Sequence, residues 1–265
     1  MKKTAVLFML MALVLSLPVM ASDFTCGTIT VDGLISEGEW DAAEWVELPC
    51  PKDNVSLTGR IKLMNDKDYI YLLAESTDDL VCDTVTPNWN AEMSLDCLEF
   101  WMTVDVEGAK NAASYDNAAN SMAACLDHLG NFSWNGGDAR AQAGIQYDCT
   151  FDGAKTTVYE VAIPIMDGVP GGTIGLNVSF NDTDDENASR CGYVVLSDAV
   201  NSWWSSPANL SSFTLADYIE PAIEAAEGEN AVTTAPQTFD AVMLAACVLA
   251  CSGTGLVISR KNGKR

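Results

Sequence analysis

The sequence is poor in histidine, and this shortage excludes several classes of enzyme. Its single histidine, His128, rules out a three-histidine zinc site, and a Ser-His-Asp triad would have to pass through that one residue. No P-loop and no dinucleotide-binding glycine motif is present, and the absence of a Cys-x-x-Cys pair argues against a structural zinc site. What remains is chemistry carried by carboxylates, or no catalysis at all.

Positive charge is also scarce. The chain has 37 acidic residues against 14 lysines and arginines, and six of those bases lie at its two ends. Residues 22–239 therefore carry eight bases against 36 acids, a net charge of −28. Such a body repels phosphate backbones, which excludes nucleic acid as a partner, whereas neutral ligands, cations and polar polymers remain compatible with it.

The first 21 residues are typical of a secretory signal peptide. Two lysines precede an apolar run that ends in Val19-Met20-Ala21, which matches the charged, apolar and small-residue regions of such peptides. An N-terminal membrane anchor is the alternative, although the run is short for one. We therefore predict an exported protein.

The C-terminal end predicts a membrane anchor. Residues 241–258 form a stretch of 18 residues without a charge, and a helix of that length spans about 27 Å, close to the hydrocarbon thickness of a bilayer. A basic tail follows, as the positive-inside rule expects for a cytoplasmic end. We predict a stalk over residues 217–238, a single transmembrane helix over 239–259 and a cytoplasmic tail over 260–265.

The same tail also resembles a sortase sorting signal. The segment Ala235-Pro236-Gln237-Thr238-Phe239 matches the Leu-Pro-x-Thr-Gly pattern at its proline and threonine only. The resemblance implies attachment to the cell wall through Thr238. Membrane retention and wall attachment both stay open, and in either case the protein lies on the extracellular face of the cell with its N-terminus outside.

Residues 22–216 predict one all-β domain. Leu98, Phe100, Met102 and Val104 alternate with polar or aromatic residues, which is typical of a half-buried strand. Further strands are predicted at residues 55–64, 69–76, 157–165 and 174–181, the first two joined by a hairpin turn. A helical pattern is visible over residues 36–44. This pattern of short strands favours an antiparallel β-sandwich, jelly-roll-like in its connections.

The cysteines leave two interpretations open. Seven lie in the exported body and two in the apolar tail. Export permits disulfides, but an odd number leaves at least one thiol without an intramolecular partner. Several of these cysteines are equally well explained as small buried apolar residues.

Two outward rows of the predicted sandwich carry side chains suited to a sugar. Asn177, Ser179 and Asn181 form a polar row without charge, and Glu99 with Trp101 forms a second. Amides and hydroxyls pair with neutral hydroxyl groups, and a carboxylate can accept two of them. An indole ring adds a flat apolar surface on which the C–H face of a pyranose can pack.

Six segments in chain order resemble family 9 carbohydrate-binding modules. The first contains Val31-Asp32-Gly33 and ends in Glu39-Trp40, similar to the opening signature of the family. The others are residues 68–75, 96–100, 158–164, 174–182 and 201–204. The resemblance implies a β-sandwich that grips terminal sugars between two tryptophans and binds structural calcium.

The resemblance also implies particular site residues. Trp89 and Trp204, or Trp203 in its place, match the two sandwiching tryptophans, Glu99 matches the hydroxyl-binding glutamate, and Asn201 a neighbouring asparagine. Ser179 stands where sugar-binding members carry a longer amide, so its shorter side chain puts the ligand or its affinity in question.

The densest acidic run is a candidate metal site. Asp182, Asp184 and Asp185 fall within it, and carboxylates are the ligands that calcium prefers. The run lacks the glycine of an EF-hand loop, so a calcium site of another geometry and a solvated acidic turn both stay open.

The function predicted from these features is non-catalytic carbohydrate binding at a bacterial cell surface, beside partner glycoside hydrolases. A structural or adhesive module with a degenerate sugar site is the main alternative. A glycoside hydrolase would need two carboxylates about 5–10 Å apart. A haem-binding sandwich would need axial ligands such as Met64, Met102 or His128, while His128 itself is otherwise expected to be an ordinary surface or loop residue.

Overall fold

The computed structural model describes most of the predicted domain. It covers residues 23–82, 96–116, 118–184, 190–198 and 202–218, all within one compact unit. The predicted signal peptide, apolar tail segment and basic tail lie outside these residues, as do nearly all of the predicted stalk and Trp89, Asp185, Asn201 and Thr238. None of the helices formed by the described residues is long and apolar enough to cross a membrane.

Two β-sheets pack face to face, as the sequence predicts. The strands are β1 (Thr25–Cys26), β2 (Val46–Glu47), β3 (Cys50–Asp53), β4 (Thr58–Asn65), β5 (Tyr69–Thr77), β6 (Cys97–Thr103), β7 (Ser121–Asp127), β8 (Phe132–Gly137), β9 (Gln146–Phe151), β10 (Thr156–Pro164), β11 (Thr173–Asp182), β12 (Gly192–Val195) and β13 (Ser211–Thr214). Sheet A has the order β1-β4-β5-β10-β9, with β2 beside β4. Sheet B has the order β3-β12-β11-β6-β7-β8, with β13 beside β11.

The strand pairing is antiparallel except where β1 meets β4. The predicted hairpin is confirmed, because β4 and β5 pair from Asn65 opposite Ile70 back to Thr58 opposite Thr77. Its turn is held by Asp66, whose Oδ1 accepts the backbone N–H groups of Asp68 and Tyr69, both at 2.7 Å. Short helices occur at α1 (Val106–Ala109) and α2 (Ala139–Gly144), with a 3-10 turn at Pro207–Asn209.

The strands of the core are buried on both faces, which the sequence pattern alone does not predict. Phe100 and Met102 of β6 and Val178 and Phe180 of β11 fill the space between the sheets. Their neighbours on the outer face, among them Glu99, are buried as well. Half-burial was the expectation, and it is wrong because chain segments outside the strands cover the outer face of each sheet.

The cover of sheet A is the N-terminal segment, fixed by one buried carboxylate. Glu160 of β10 accepts hydrogen bonds from the indole N–H of Trp40 at 2.7 Å and from the backbone N–H groups of Asp32 and Gly33 at 2.9 and 3.0 Å. Gly33 has a φ of +72°, and a Cβ there would lie 2.9 Å from backbone atoms of Cys149. The opening signature therefore serves to anchor this segment.

The helix predicted over residues 36–44 is wrong. This stretch forms successive turns, in which Glu39 donates to the carbonyl of Ser36 at 3.3 Å and Ala43 to that of Trp40 at 3.2 Å. Gly38 has a φ of +83°, outside the right-handed helical region. The hydrogen bond that draws Trp40 onto Glu160 fixes this geometry in place of a continuous helix.

Glu160→Gln is expected to lower the free energy of unfolding by about 2–4 kcal/mol. The change puts an amide NH2 group where three donors converge on two oxygens, so at least one buried donor loses its acceptor. Urea denaturation of this variant beside Glu44→Gln, an exposed glutamate of the same segment, measures the effect. Equal midpoints for the two variants would contradict the anchoring role.

Six cysteines of the body carry free thiols: Cys26, Cys50, Cys97, Cys125, Cys149 and Cys191. Cys82, Cys97 and Cys125 are buried, as the interpretation of them as small apolar residues expects. Cys26 is exposed, and Cys191, immediately before β12, is partly exposed. That partly exposed thiol lies among carboxylates.

Candidate ligand-binding face

The outer face of sheet B places the predicted carboxylate at its centre. Glu99 on β6 lies directly opposite Ser179 on β11 and Cys125 on β7. In the next row, Trp101 lies opposite Asn177. The two outward rows inferred from the sequence therefore lie on adjacent strands of one sheet face, and the strand pairing brings Glu99 and Ser179 into contact.

Glu99 is the buried charge of this face. Its side chain is 1% exposed, and burial raises its pKa to about 7, an effect that the charge of Arg190 and the nearby Asn181 and Ser179 side chains reduce. Ser179 Oγ donates to Glu99 Oε2 at 3.3 Å. The other oxygen, Oε1, accepts no hydrogen bond from the described residues. This oxygen is a buried acceptor that lacks a donor, and the hydroxyl group of a ligand would supply one.

The two adjacent tryptophans have different environments. Trp203 is 3% exposed and packs edge-on against Trp101, with ring centroids 4.4 Å apart. Tyr115 fixes its backbone by donating to the Trp203 carbonyl at 3.2 Å. Trp204 is 47% exposed and stands perpendicular to Trp203. Of the two candidates, Trp204 is the one with a ring free to stack on a ligand, while Trp203 belongs to a small apolar cluster covering the sheet.

The two amides of the polar row are committed to the fold. Asn177 donates to the carbonyl of Ser197 at 2.8 Å and accepts from its N–H at 3.1 Å. Asn181 accepts from Arg190 Nη1 at 3.0 Å. Both are buried, so the prediction that they present free polar groups outward is wrong: their groups are used to hold β12 and the adjoining chain.

Arg190 lies at the edge of this face. Its guanidinium carbon is 4.6 Å from the centroid of the Tyr193 ring, and its contact with Asn181 brings its charge towards Glu99. No pattern in the sequence points to this residue beyond its being one of few bases in an acidic body. Its position explains how a carboxylate as buried as Glu99 retains access to its ionised form.

A second cluster lies where strands of the two sheets end. Asp78 follows β5, Asp96 precedes β6 and Asp182 ends β11, and one carboxylate oxygen of each lies within 4.8 Å of the others. All three residues are buried. The dense acidic run of the sequence singles out Asp182, whereas Asp78 and Asp96 join it only through the sheet pairing.

The carboxylates of this cluster are not fully satisfied by hydrogen bonds. Asp182 Oδ2 accepts from the backbone N–H of Ser56 and, at 3.2 Å, from that of Leu57. Asp182 Oδ1 and Asp78 Oδ2 are buried and accept no hydrogen bond from the described residues. Burial, together with the neighbouring carboxylates, raises the pKa of Asp78 to about 6 and that of Asp96 to about 7. A divalent cation would neutralise this concentration of negative charge.

The candidate haem ligands are not brought together. Met64 packs with Trp40 on the outer side of sheet A, whereas Met102 lies in the core between the sheets. His128 lies in the turn after β7, edge-on to Phe151. It is a turn residue as predicted, but it is buried rather than on the surface. No haem site therefore follows from these three residues.

A glycoside hydrolase would need a second carboxylate beside Glu99, and the described part of this face does not offer a free one. Asp127, at the end of β7, accepts the backbone N–H groups of Leu129 and Asn131 and the side-chain amide of Asn131, at 2.7–3.0 Å. The carboxylate of Asp127 is therefore used to hold the turn that follows β7. Glu99 alone cannot perform the two-carboxylate chemistry of glycoside hydrolysis.

Comparison with known proteins gives a consistent match. A model of the family described as carbohydrate family 9 binding domain-like matches residues 31–218. A family 9 carbohydrate-binding module from Caldicellulosiruptor kristjanssonii in complex with cellotriose superposes with a TM-score of 0.62 at 18% identity, covering 76% of this chain and 96% of that one. A structure of such a module from the same organism in complex with glucose gives 0.62 and 18%, covering 74% and 96%. No curated protein matches the sequence.

Proposed function

Since the chain belongs to the carbohydrate family 9 binding domain-like family, we propose that its sandwich binds carbohydrate without catalysing a reaction. The observation that carries the proposal is the pairing of a buried acceptor with an exposed ring on one sheet face. Glu99 Oε1 has no donor among the described residues, and Trp204 is 47% exposed on the loop that covers the same face.

The proposed ligand is the terminal residue of a glucan or a free sugar. The related modules from Caldicellulosiruptor kristjanssonii are described in complex with cellotriose and with glucose. A carboxylate accepts hydrogen bonds from two vicinal hydroxyls, and an indole ring covers the apolar face of the pyranose. In this proposal Glu99 accepts hydrogen bonds from the hydroxyls and Trp204 packs on the ring face; the family resemblance also assigns Trp89 and Asn201 to the ligand, and both lie outside the described residues.

Calcium is the proposed structural cofactor of the cluster formed by Asp78, Asp96 and Asp182. Calcium takes six to eight oxygen ligands, and these three carboxylates include buried oxygens that accept no hydrogen bond from the described residues. Asp78 leaves a strand of sheet A, whereas Asp96 and Asp182 belong to sheet B. A bound calcium ion would supply positive charge there, and these residues would hold it between the two sheets.

Display on the outer surface of a cell is proposed from the sequence. The signal-peptide pattern, the apolar segment over residues 241–258 and the basic tail support an exported, single-pass protein. The weak sorting pattern around Thr238 supports wall attachment as the other route. In this setting the sandwich would hold polysaccharide near partner glycoside hydrolases.

Trp204→Ala is expected to lower the affinity for glucose and cellotriose by about 5- to 30-fold. Loss of the ring removes stacking worth about 1–2 kcal/mol, and each 1.4 kcal/mol is tenfold in affinity. Intrinsic tryptophan fluorescence of the purified full-length protein, titrated with each sugar, measures this. The matched control is Trp45→Ala, because Trp45 lies on sheet A beneath the guanidinium of Arg60.

A saturable fluorescence change that weakens in Trp204→Ala and persists in Trp45→Ala supports the proposed site. A protein that is folded but gives no change with a panel of mono- and oligosaccharides would overturn sugar binding. It would favour the alternative of an adhesive module with a degenerate site, for which the short side chain at Ser179 is the specific observation.

A further inference from the structure

One cysteine lies among the acidic residues at the end of β11. Cys191 immediately precedes β12, and its Sγ lies 3.4 Å from Asp184 Oδ2 and 3.2 Å from the backbone carbonyl oxygen of Asp182. One carboxylate oxygen from each of Asp182 and Asp184 lies within 4.8 Å of the sulfur and of the other. The three side chains therefore converge on a common point.

This cluster contains a buried oxygen that lacks a partner. Asp182 is fully buried, and its Oδ2 is occupied by the backbone N–H groups of Ser56 and Leu57. Its Oδ1 accepts no hydrogen bond from the described residues. A buried carboxylate oxygen left without a donor is costly, and a bound ion is one of the explanations for such an atom. Cys191 and Asp184 remain accessible from solvent, so an ion can reach it.

The chemistry of these three ligands differs from that of a calcium site. Calcium selects oxygen, whereas a thiolate with carboxylates is a donor set for zinc, which binds Cys and Asp in tetrahedral geometry. The ligand atoms of a tetrahedral zinc ion lie roughly 3.5 Å apart, and the distance from Cys191 Sγ to Asp184 Oδ2 is 3.4 Å. Three protein ligands would leave the fourth position to water.

We propose that Asp182, Asp184 and Cys191 bind a thiophilic divalent cation, zinc being the first candidate, at a position separate from the proposed calcium site and sharing Asp182 with it. On binding, the Cys191 thiol releases its proton to solvent, and the sulfur and the two carboxylates donate to the ion. The lack of a Cys-x-x-Cys motif argued against a structural zinc site, but this arrangement uses a single cysteine assembled with aspartates by the fold.

An ion bound at this position would also stabilise the structure around it. Asp182 is the last residue of β11, and Cys191 immediately precedes β12. An ion bound by both would therefore fix the two ends of the connection between these strands. Arg190, next to Cys191, contacts Asn181 on the ligand-binding face. Ion binding at this position does not require sugar binding, because cobalt absorption and cysteine alkylation report on the ion, whereas tryptophan fluorescence reports on the sugar.

The test uses Co²⁺ as a spectroscopic substitute for zinc. The purified full-length protein is reduced, stripped of metal with a chelator, saturated with Ca²⁺ and titrated with Co²⁺. We expect a thiolate-to-cobalt charge-transfer band in the near ultraviolet, lost on addition of Zn²⁺. Cys191→Ser should abolish the band and weaken zinc binding by about 100-fold, since loss of even an outer-sphere partner costs 10- to 100-fold. Cys26→Ser, at an exposed cysteine in β1, should leave both unchanged.

Alkylation of the same protein provides a second measurement without any substitution. Zn²⁺ should protect Cys191 from iodoacetamide, as followed by peptide mass spectrometry, while the exposed Cys26 reacts at the same rate with and without the ion. Cobalt binding without the charge-transfer band, or equal reaction of Cys191 with and without Zn²⁺, would overturn the proposal. Either result would leave the proposed calcium site and sugar binding untouched.

Discussion

Replacing Glu99 with alanine is expected to lower the affinity for glucose and cellotriose by about 10- to 100-fold. A hydrogen bond to a charged group contributes about 1.5–3 kcal/mol, and each 1.4 kcal/mol corresponds to tenfold in affinity. The carboxylate is 1% exposed with one oxygen lacking a donor, so its hydrogen bonds to ligand hydroxyls form away from competing water. Calorimetric or fluorescence titration of the full-length protein measures the loss.

The pH dependence of binding separates the charge of Glu99 from its shape. Its pKa is raised to about 7, and only the ionised carboxylate accepts hydrogen bonds at both oxygens. Affinity should therefore fall as the pH is lowered from 8 to 6. Glu99→Gln should bind weakly at both pH values and lose this dependence, because an amide does not titrate.

Two controls make the result specific. Glu47→Gln, at an exposed glutamate of sheet A, should retain both the affinity and its pH dependence. Because Glu99 is buried, circular dichroism and the unfolding midpoint of each variant must show that it is folded. Folded Glu99 variants with wild-type affinity would place the sugar elsewhere on the protein.

The strands could be predicted from the sequence because each carries its own signal. In β6 and β11 every second residue is large and apolar, and the turn between β4 and β5 is built from residues that favour turns. The motifs that resemble the family indicated the sandwich for the same reason. Each motif is a local pattern, and a local pattern can be recognised without knowing which distant residues it contacts.

What could not be predicted depends on contacts between distant residues. The helix expected over residues 36–44 gives way to turns because Trp40 is bound to Glu160, which lies 120 residues further along the chain. Trp203 and Trp204 are neighbours of the same type, and only packing on Trp101 distinguishes the buried ring from the exposed one. A single sequence contains no periodic signal for either contact.

The acidic cluster shows the same limit. Asp182 lies within a dense acidic run, but its partners Asp78 and Asp96 lie at the ends of other strands, far from it in the sequence. Strand pairing places all three together, and burial then makes their charges costly. The sequence shows the abundance of acid, whereas the fold decides which acids must share a site.

The second large effect is expected in stability, which should fall with rising pH unless a cation is present. Burial raises the pKa of Asp78 to about 6 and that of Asp96 to about 7, and neighbouring carboxylates add to both shifts, Asp182 in the case of Asp78 and Asp78 with Asp182 in the case of Asp96; the value in an unfolded chain is about 3.9. The folded protein thus holds protons that the unfolded chain has released. This contribution is complete below about pH 4 and is lost as the pH rises through 6 and 7.

The loss between pH 5 and pH 8 should be on the order of a few kcal/mol without calcium, after allowing for solvent screening at the edge of the cluster, and Glu99, whose pKa burial also raises to about 7, contributes to it. Arg140 lowers the pKa of Asp138 and of Asp167 through hydrogen bonds, so these groups destabilise the fold only in acid and do not contribute in this window. Urea denaturation in chelator, at pH 5 and at pH 8, measures the difference.

Saturating calcium should restore stability at pH 8 while changing little at pH 5, because protonated carboxylates bind the ion poorly. A ligand at 100 times its Kd adds about 2.7 kcal/mol, so the restored amount lies well above the error of such measurements. Asp78→Asn should be more stable than the wild type in chelator at pH 8, since it removes a repelling buried charge and its new amide can occupy the place of Oδ2, which accepts no hydrogen bond from the described residues, and it should respond less to calcium. Asp41→Asn, at an exposed position, should behave as the wild type. Equal stability at the two pH values in chelator, with no response to calcium, would mean that the three carboxylates are neutralised by other groups and do not form a cation site.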